Sequence, residues 1–129
     1  VRTLCEEKTQ YHLSHKERAV LEEEVNLERV HSFLVEEKII KKGTDWADIP
    51  FYKPKPTQDC PSGYEGRIGI HETLVVSEAI KPLIIQNATS DALEDQAKKE
   101  HMMTMLEDGV VKAVQGVTSL AEVLRVTRE

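Results

Sequence analysis

The apolar positions recur at helical spacing over two stretches near the start of the chain. Ser14 and Glu17 have the separation of a capping box, in which the serine hydroxyl accepts from an amide three residues on and the glutamate reaches back. The helix it opens runs through Ala19, Val20 and Leu21 into the acidic run Glu22-Glu23-Glu24. Asn26 suits the cap of a second helix, where Leu27, Val30, Phe33 and Leu34 share a face and Ile39 and Ile40 lie at the end. Lys41 and Lys42 complement the negative end of its dipole, and Gly43 offers a left-handed stop. The pattern predicts a helical hairpin.

From Thr44 to Ser62 the periodicity disappears. Pro50, Pro54, Pro56 and Pro61 lack amide donors and restrict the residues before them, so no helix runs through this stretch. Trp46, Phe51 and Tyr52 are expected to pin the long connection to a core. Gly63, Gly66 and Gly69 then lead into the β-branched segment Ile70-His71-Glu72-Thr73-Leu74-Val75-Val76, which predicts one strand, paired with residues 1–5. Helical signals resume at Ser77, ahead of a short helix with Leu83, Ile84 and Ile85 and with Pro82 in its first turn. Asp91 with Glu94 opens another. Thr104 with Glu107 opens a third, carrying Val110, Val111 and Val114 and stopped by Gly116. Ser119 with Glu122 opens the last, carrying Val123, Leu124 and Val126. The expected fold is mainly α (α+β): a helical hairpin, a proline-rich loop, one short β element and a small C-terminal helical bundle. The expected division is residues 1–76, holding the helical hairpin, proline-rich loop, glycine-rich turn and strand, and 77–129, a C-terminal helical domain.

Composition narrows the function. At 129 residues the chain is the size of one ordinary domain, and 40% hydrophobic with 31% charged residues suits a globular fold. Seventeen basic against 23 acidic residues give a net charge of −6, without the basic footprint of direct nucleic-acid binding. No apolar run has the length of a membrane span. The start on Val1 reads as that of an excised fragment or processed product. The two cysteines, Cys5 and Cys60, read either as reduced thiols of a cytoplasmic protein or as half of a tetrahedral zinc site, with His12 and His15 near the first and Asp59 near the second.

No self-contained active site is visible. None of the glycines begins a P-loop, and the glycine-rich turn precedes a strand where a dinucleotide fingerprint joins a strand to a helix. His71 and Glu72, adjacent on a strand, point to opposite faces and do not share a substrate atom. By these residues alone, the chain reads equally as a stand-alone helical adaptor that binds a partner protein.

One stretch carries a family resemblance. Gly63-Tyr64-Glu65-Gly66-Arg67-Ile68-Gly69-Ile70-His71-Glu72 resembles the G-Y-x-G-R-x-G-I-x-E signature of the secretion and pilus traffic ATPases. Val1-Arg2-Thr3-Leu4-Cys5 is similar to the V-R-x-L-C that follows that family's nucleotide-binding core. Residues 101–109 resemble its G-M-x-T-L-x-x-D-G, and residues 115–126 its closing E-G-x-T-T-x-E-E-V-L-R-V. The family carries two C-x-x-C pairs that bind zinc; here Lys8 and Thr57 stand at the partner positions of Cys5 and Cys60.

The resemblance implies a parent that is a cytoplasmic hexameric ATPase, peripheral to the inner membrane, powering type IV pilus assembly or type II secretion with ATP and Mg²⁺ bound upstream of Val1. This region would then hold no catalytic or cofactor-binding residue. It would serve domain packing, subunit coupling and contact with the rest of the ATPase, with neighbouring subunits and with an inner-membrane platform protein, without inserting in the membrane. Gly63, Tyr64, Gly66, Arg67, Gly69, Glu72, Gly109, Gly116 and Glu122 are the motif positions expected to matter structurally. Arg67 is expected to reach a carboxylate, Glu72 or one in the core, and Gly66 and Gly69 to reject side chains if their φ is positive.

Overall fold

The computed structural model describes residues 1–128 and has the element order β1 (Arg2–Leu4), β2 (Lys8–Tyr11), α1 (His15–Glu24), α2 (Leu27–Glu36), β3 (Phe51–Pro54), β4 (Tyr64–Arg67), α3 (Ile80–Ile85), α4 (Ser90–Lys99), α5 (Met105–Val114) and α6 (Leu120–Thr127). The mainly α, α+β reading holds, but the β content differs from the expected single element. The described residues form two two-stranded antiparallel sheets, β1 with β4 and β2 with β3. By its contacts the chain divides not at residue 76 but into one unit of residues 1–70 with 106–128 and a second of residues 71–105.

The helix starts follow the capping residues. Ser14 Oγ accepts from the Glu17 amide at 3.2 Å, and Asn26 Oδ1 accepts from the Arg29 amide at 3.2 Å. Ser119 Oγ accepts from the Glu122 amide at 3.1 Å. α4 begins one step earlier than Asp91, because Thr89 takes the cap and accepts from the Ala92 amide.

Helix ends depart further from expectation. α2 stops at Glu36, well before Gly43, because Lys38 adopts a left-handed backbone. The Ile39 and Lys38 amides then close onto the Leu34 and Val35 carbonyls at 2.9 and 3.0 Å, satisfying acceptors a helix end leaves open. Asn87 ends α3 in the same way and His101 ends α4. Only α5, among these four, closes on a glycine, Gly116.

In the first unit the core forms where β3, α2, α5 and α6 contribute apolar faces. Phe51, Ile49, Leu34, Val30, Val110 and Val123 are fully buried, each side chain worth about 1.5–3 kcal/mol relative to an exposed one. The proline-rich stretch supplies much of this core. Trp46, in a 3-10 turn spanning Trp46–Asp48, stacks on Phe51 with ring centroids 6.5 Å apart, and Tyr11 meets Phe51 at 6.2 Å. β3 pairs with β2 in the register Lys8↔Pro54 to Tyr11↔Phe51, and Pro54 is tolerated because it closes the strand.

The second unit holds α3 and α4, which pack on each other around Ile80 and Ala97. Ser77 Oγ accepts from the Ile80 amide at 3.2 Å and donates to Glu100 Oε1 at 2.7 Å, tying the entry of α3 to the end of α4. The predicted strand over residues 70–76 does not form. β4 forms instead within the glycine-rich turn, and its partner is β1, as expected for residues 1–5.

Gly109 in α5 is dictated by close packing on α6. A Cβ there would collide with the Val123 side chain of α6. Gly109→Ala is therefore expected to destabilise the chain by about 1–3 kcal/mol through overpacking, despite the better helix propensity of alanine. Val123→Ala in the same chain should recover part of that loss. Urea unfolding of the two single variants and the double variant checks the coupling; additive losses would show that the two positions do not meet.

Candidate functional site

The motif residues from both ends of the sequence meet at one carboxylate. Glu122 enters in the first turn of α6, placed there by the Ser119 cap, and is buried with 2% exposure. Arg2 on β1 approaches it from one side: its backbone amide and Nε donate to Glu122 Oε1 at 3.1 and 3.0 Å, and its Nη2 donates to Oε2 at 2.8 Å. Arg125, one helical turn on, donates from Nε to Oε2 at 3.1 Å and from Nη2 to Oε1 at 2.7 Å. These charge-assisted bonds fill the lone pairs of both oxygens. Glu122 is held far below the usual carboxylate range, first by the Arg2 hydrogen bonds and then by those of Arg125, against the opposing effect of burial.

Tyr64 on β4 completes the cluster. The Arg2 guanidinium lies 4.3 Å from the centroid of its ring, and its hydroxyl shares a 2.7 Å hydrogen bond with Ser119 Oγ. The backbone of β1 is also held on its other side: Thr118 Oγ1 donates to the Arg2 carbonyl at 2.7 Å, and the Leu4 amide donates to the Val117 carbonyl at 2.9 Å. The site therefore joins Arg2, Tyr64, Thr118, Ser119, Glu122 and Arg125. Of these, sequence reasoning singled out only Tyr64 and Glu122 as site residues; the V-R-x-L-C resemblance pointed at Arg2 without giving it a role.

Chemically this cluster is saturated. Its only carboxylate accepts from two arginines, its hydroxyls bond to each other or to backbone, and no base faces a nucleophile with a free lone pair. It can position elements but offers no acid–base or nucleophilic step.

The remaining motif positions separate. Gly63 and Gly66 have positive φ, +77° and +80°, and a Cβ on Gly63 would press 2.6 Å from Pro54 Cβ. Gly69 is not in the left-handed region, so the condition set for it in the sequence is not met. Arg67 has no ion-pair partner among the described residues, and Glu72 is engaged elsewhere, accepting from the Met105 amide at 3.0 Å.

Cys5 and Cys60 are bonded to each other, with their Cα atoms 6.7 Å apart, which corrects the reduced-thiol reading. The residues do not fit zinc. Lys8 donates to the Gly116 carbonyl at 2.7 Å and lies over the Tyr52 ring, while Thr57 Oγ1 accepts from the Cys60 amide at 3.0 Å, so both partner positions are committed to other bonds. Among the described residues no three of His, Cys, Asp or Glu gather as a metal set; His12, His15 and Asp59 do not supply one.

Two measurements follow. Glu122→Gln should cost about 2 kcal/mol at neutral pH, because the charge-assisted bonds are lost while the half-exposed arginines rehydrate. The folded-state pKa of Glu122 is depressed, so its contribution is complete above the ordinary value of 4.5 and is lost as pH falls below it. The gap between native and variant chains in urea unfolding should shrink across that acid window; a gap constant with pH would place the stabilisation elsewhere. Separately, the disulfide joins residues 55 apart in sequence. Its reduction is expected to lower stability by about 4 kcal/mol on chain-entropy grounds and Tm by about 10–15 °C. Calorimetry with and without reductant checks this, with the Cys5→Ser, Cys60→Ser double variant indifferent to reductant.

Among the described residues no helix is long and apolar enough to cross a membrane. The family model for type II/IV secretion system proteins matches residues 1–125. The chain is 40% identical over 82 residues to the type II secretion system protein E of Xanthomonas campestris, covering 64% of this chain and 14% of that protein. It is 38% identical over 78 residues to the type IV pilus assembly ATPase PilB of Pseudomonas aeruginosa, covering 60% and 14%. With the type II secretion system protein E of Aeromonas hydrophila it shares 36% identity over 98 residues, 74% of this chain and 19% of that protein. The chain thus spans a minor part of the length of the relatives it matches, and with nearly all of its residues matched by the family model it belongs to the type II/IV secretion system protein family.

Proposed function

We propose that this chain is the C-terminal region of a hexameric cytoplasmic ATPase that powers type IV pilus assembly or type II secretion, acting at the inner membrane through a platform protein. In that role it does not handle nucleotide. It supplies a stiff element through which motion of the nucleotide-binding core passes to neighbouring subunits and to the machine. The observation that carries the reading is the Glu122 cluster. Residues from the first strand, the glycine-rich turn and the last helix are locked around a carboxylate with no valence left for a substrate. Such an arrangement suits transmission by rigid packing and gives chemistry nothing to act on. Support also comes from the relatives, which are named as secretion proteins and as a pilus assembly ATPase.

Arg67 extends the reading to a contact. Its exposed guanidinium, next to Gly66 in β4, is available to a carboxylate of the core or of an adjacent subunit. In the full-length protein Arg67→Ala should weaken hexamer assembly by about fivefold, the scale of one partly exposed ion pair, and lower turnover with it. Sedimentation and ATP hydrolysis measured on the same samples check this. For the 129-residue chain alone, calorimetric titration with ATP and Mg²⁺ should show no binding; measurable affinity would overturn the assignment of this region as a transmission element.

A further inference from the structure

The Cys5–Cys60 bond joins two pieces of the first unit that each hold together without it. Cys60 sits in a loop with its own support: the Thr57 and Gly63 amides donate to its carbonyl at 3.0 and 3.1 Å, and its amide donates to Thr57 Oγ1. β1, which leads into Cys5, is held from the other side by Val117, Thr118 and Glu122. The remaining links between β1 and the Cys60 side are noncovalent and mostly exposed. They are the Cys5 amide to the Gly63 carbonyl, Thr3 Oγ1 to the Glu65 carbonyl, the Val1–Ile68 backbone pair, and a β1–β4 ladder whose register shifts between Arg2 and Leu4. The two sulfurs also differ in access. Cys5 is buried, at 8% exposure, whereas Cys60 is partly exposed. On the reading proposed above the chain works in the cytoplasm, where thiol pools keep cysteines reduced and the disulfides that do form are usually transient or redox-sensing.

We propose that Cys5–Cys60 is a reversible thiol switch that sets how firmly β4, and with it the Arg67 contact, is held to β1. The inference rests on the cytoplasmic motor reading and deepens it by naming what regulates that contact. The chain has no third cysteine, so the exchange needs an outside thiol, here a low-molecular-weight one such as glutathione. Its thiolate attacks the accessible Cys60 Sγ; the bond to Cys5 breaks, and Cys5 Sγ leaves with the electron pair and takes a proton. A second glutathione thiolate attacks the glutathione sulfur of the mixed disulfide, Cys60 Sγ leaves and is protonated, and glutathione disulfide departs. Two electrons and two protons have passed to the pair, and glutathione disulfide reverses the exchange. Opening the bond leaves β1 on the Glu122 side and the Cys60 loop on its own hydrogen bonds. What loosens is β4 between them, which carries Tyr64 under the Arg2 guanidinium and Arg67 in solvent.

The full-length protein, equilibrated in glutathione buffers of graded thiol-to-disulfide ratio, tests the proposal. Alkylation with mass spectrometry reads the pair, amide exchange reads β4, sedimentation reads assembly, and ATP titration is run on the same samples. The pair should pass from disulfide to dithiol within the range of ratios a cytosol maintains. In the dithiol form the Tyr64–Arg67 amides should exchange about 10-fold faster, with those of Val110 and Val123 unchanged. Assembly should weaken about threefold on opening, and not further in Arg67→Ala, because both changes act through one contact. The Cys5→Ser, Cys60→Ser double variant should match the dithiol form at every ratio. A disulfide that persists across the whole series is a permanent staple and overturns the switch. So does opening that leaves β4 exchange unchanged, that speeds Val110 and Val123 alike, or that weakens the Arg67→Ala protein as much as the parent. Any of these results in a protein that binds ATP leaves the motor assignment standing; a full-length protein that binds no ATP overturns both.

Discussion

Everything in the first unit converges on how one buried carboxylate is kept ionised. A lone charge at the depth of Glu122 would cost several kcal/mol in lost hydration, so burial is permitted only because two guanidinium groups and a backbone amide meet it in good geometry. The two arginines remain half exposed, 45% and 61%, so water still solvates the outer faces of the cations while the anion is fully enclosed. That asymmetry makes the cluster directional. Arg2 can only reach Glu122 if β1 lies beside the turn at Val117 and Thr118, and β1 can only lie there if β4 flanks it with Tyr64 beneath the guanidinium. The ion pair therefore fixes the order in which three remote stretches of chain must sit.

The disulfide acts on the same corner of the fold by a different route. Cys5 follows β1 directly, its amide donates to the Gly63 carbonyl at 3.0 Å, and the Gly63 amide in turn donates to the Cys60 carbonyl at 3.1 Å. The bond thus closes the loop that leads from β3 to β4 against the end of β1. A tetrahedral metal site would do equivalent work by gathering four ligands, two from each side of this corner. With Lys8 drawn to the Gly116 carbonyl and Thr57 turned back on the Cys60 amide, the two remaining sulfurs do it by bonding to one another.

How much of this was legible in the sequence depends on whether the signal is local. Most helix starts were readable because a cap acts within one turn: Ser14, Asn26 and Ser119 all accept from amides three residues on. Among helix ends only that of α5, at Gly116, was readable, because the left-handed stop is signalled by glycine, whereas Lys38, Asn87 and His101 adopt it without one. The saving of unsatisfied carbonyls at those ends outweighs the modest steric cost of a side chain at positive φ. β2 and β3 were missed for a related reason: proline masks the pairing capacity of a strand unless the proline falls at its end, as Pro54 does. The Arg2–Glu122 pair spans 120 residues, and no spacing rule reaches that far. Gly109 was singled out by motif alone, and the motif carried no hint that the constraint was Val123.

The misplaced strand is the most instructive difference, because local propensity and observed structure disagree there with little compensating contact. At Lys38 the local rule is broken and the helix end is repaid in hydrogen bonds. At Thr73–Val76 a strong β preference is left unused, the apolar side chains face solvent, and the backbone gains a single hydrogen bond, from the Ser77 amide to the Val75 carbonyl. Sequences that fold to one state seldom hold such a conflict unless something else resolves it. The first unit resolves its own polar groups to the last oxygen of Glu122, whereas the second leaves both backbone and apolar surface open. The transmission role proposed for this chain needs both conditions: a closed, stiff body that does not absorb displacement, and an unsatisfied surface by which displacement reaches it.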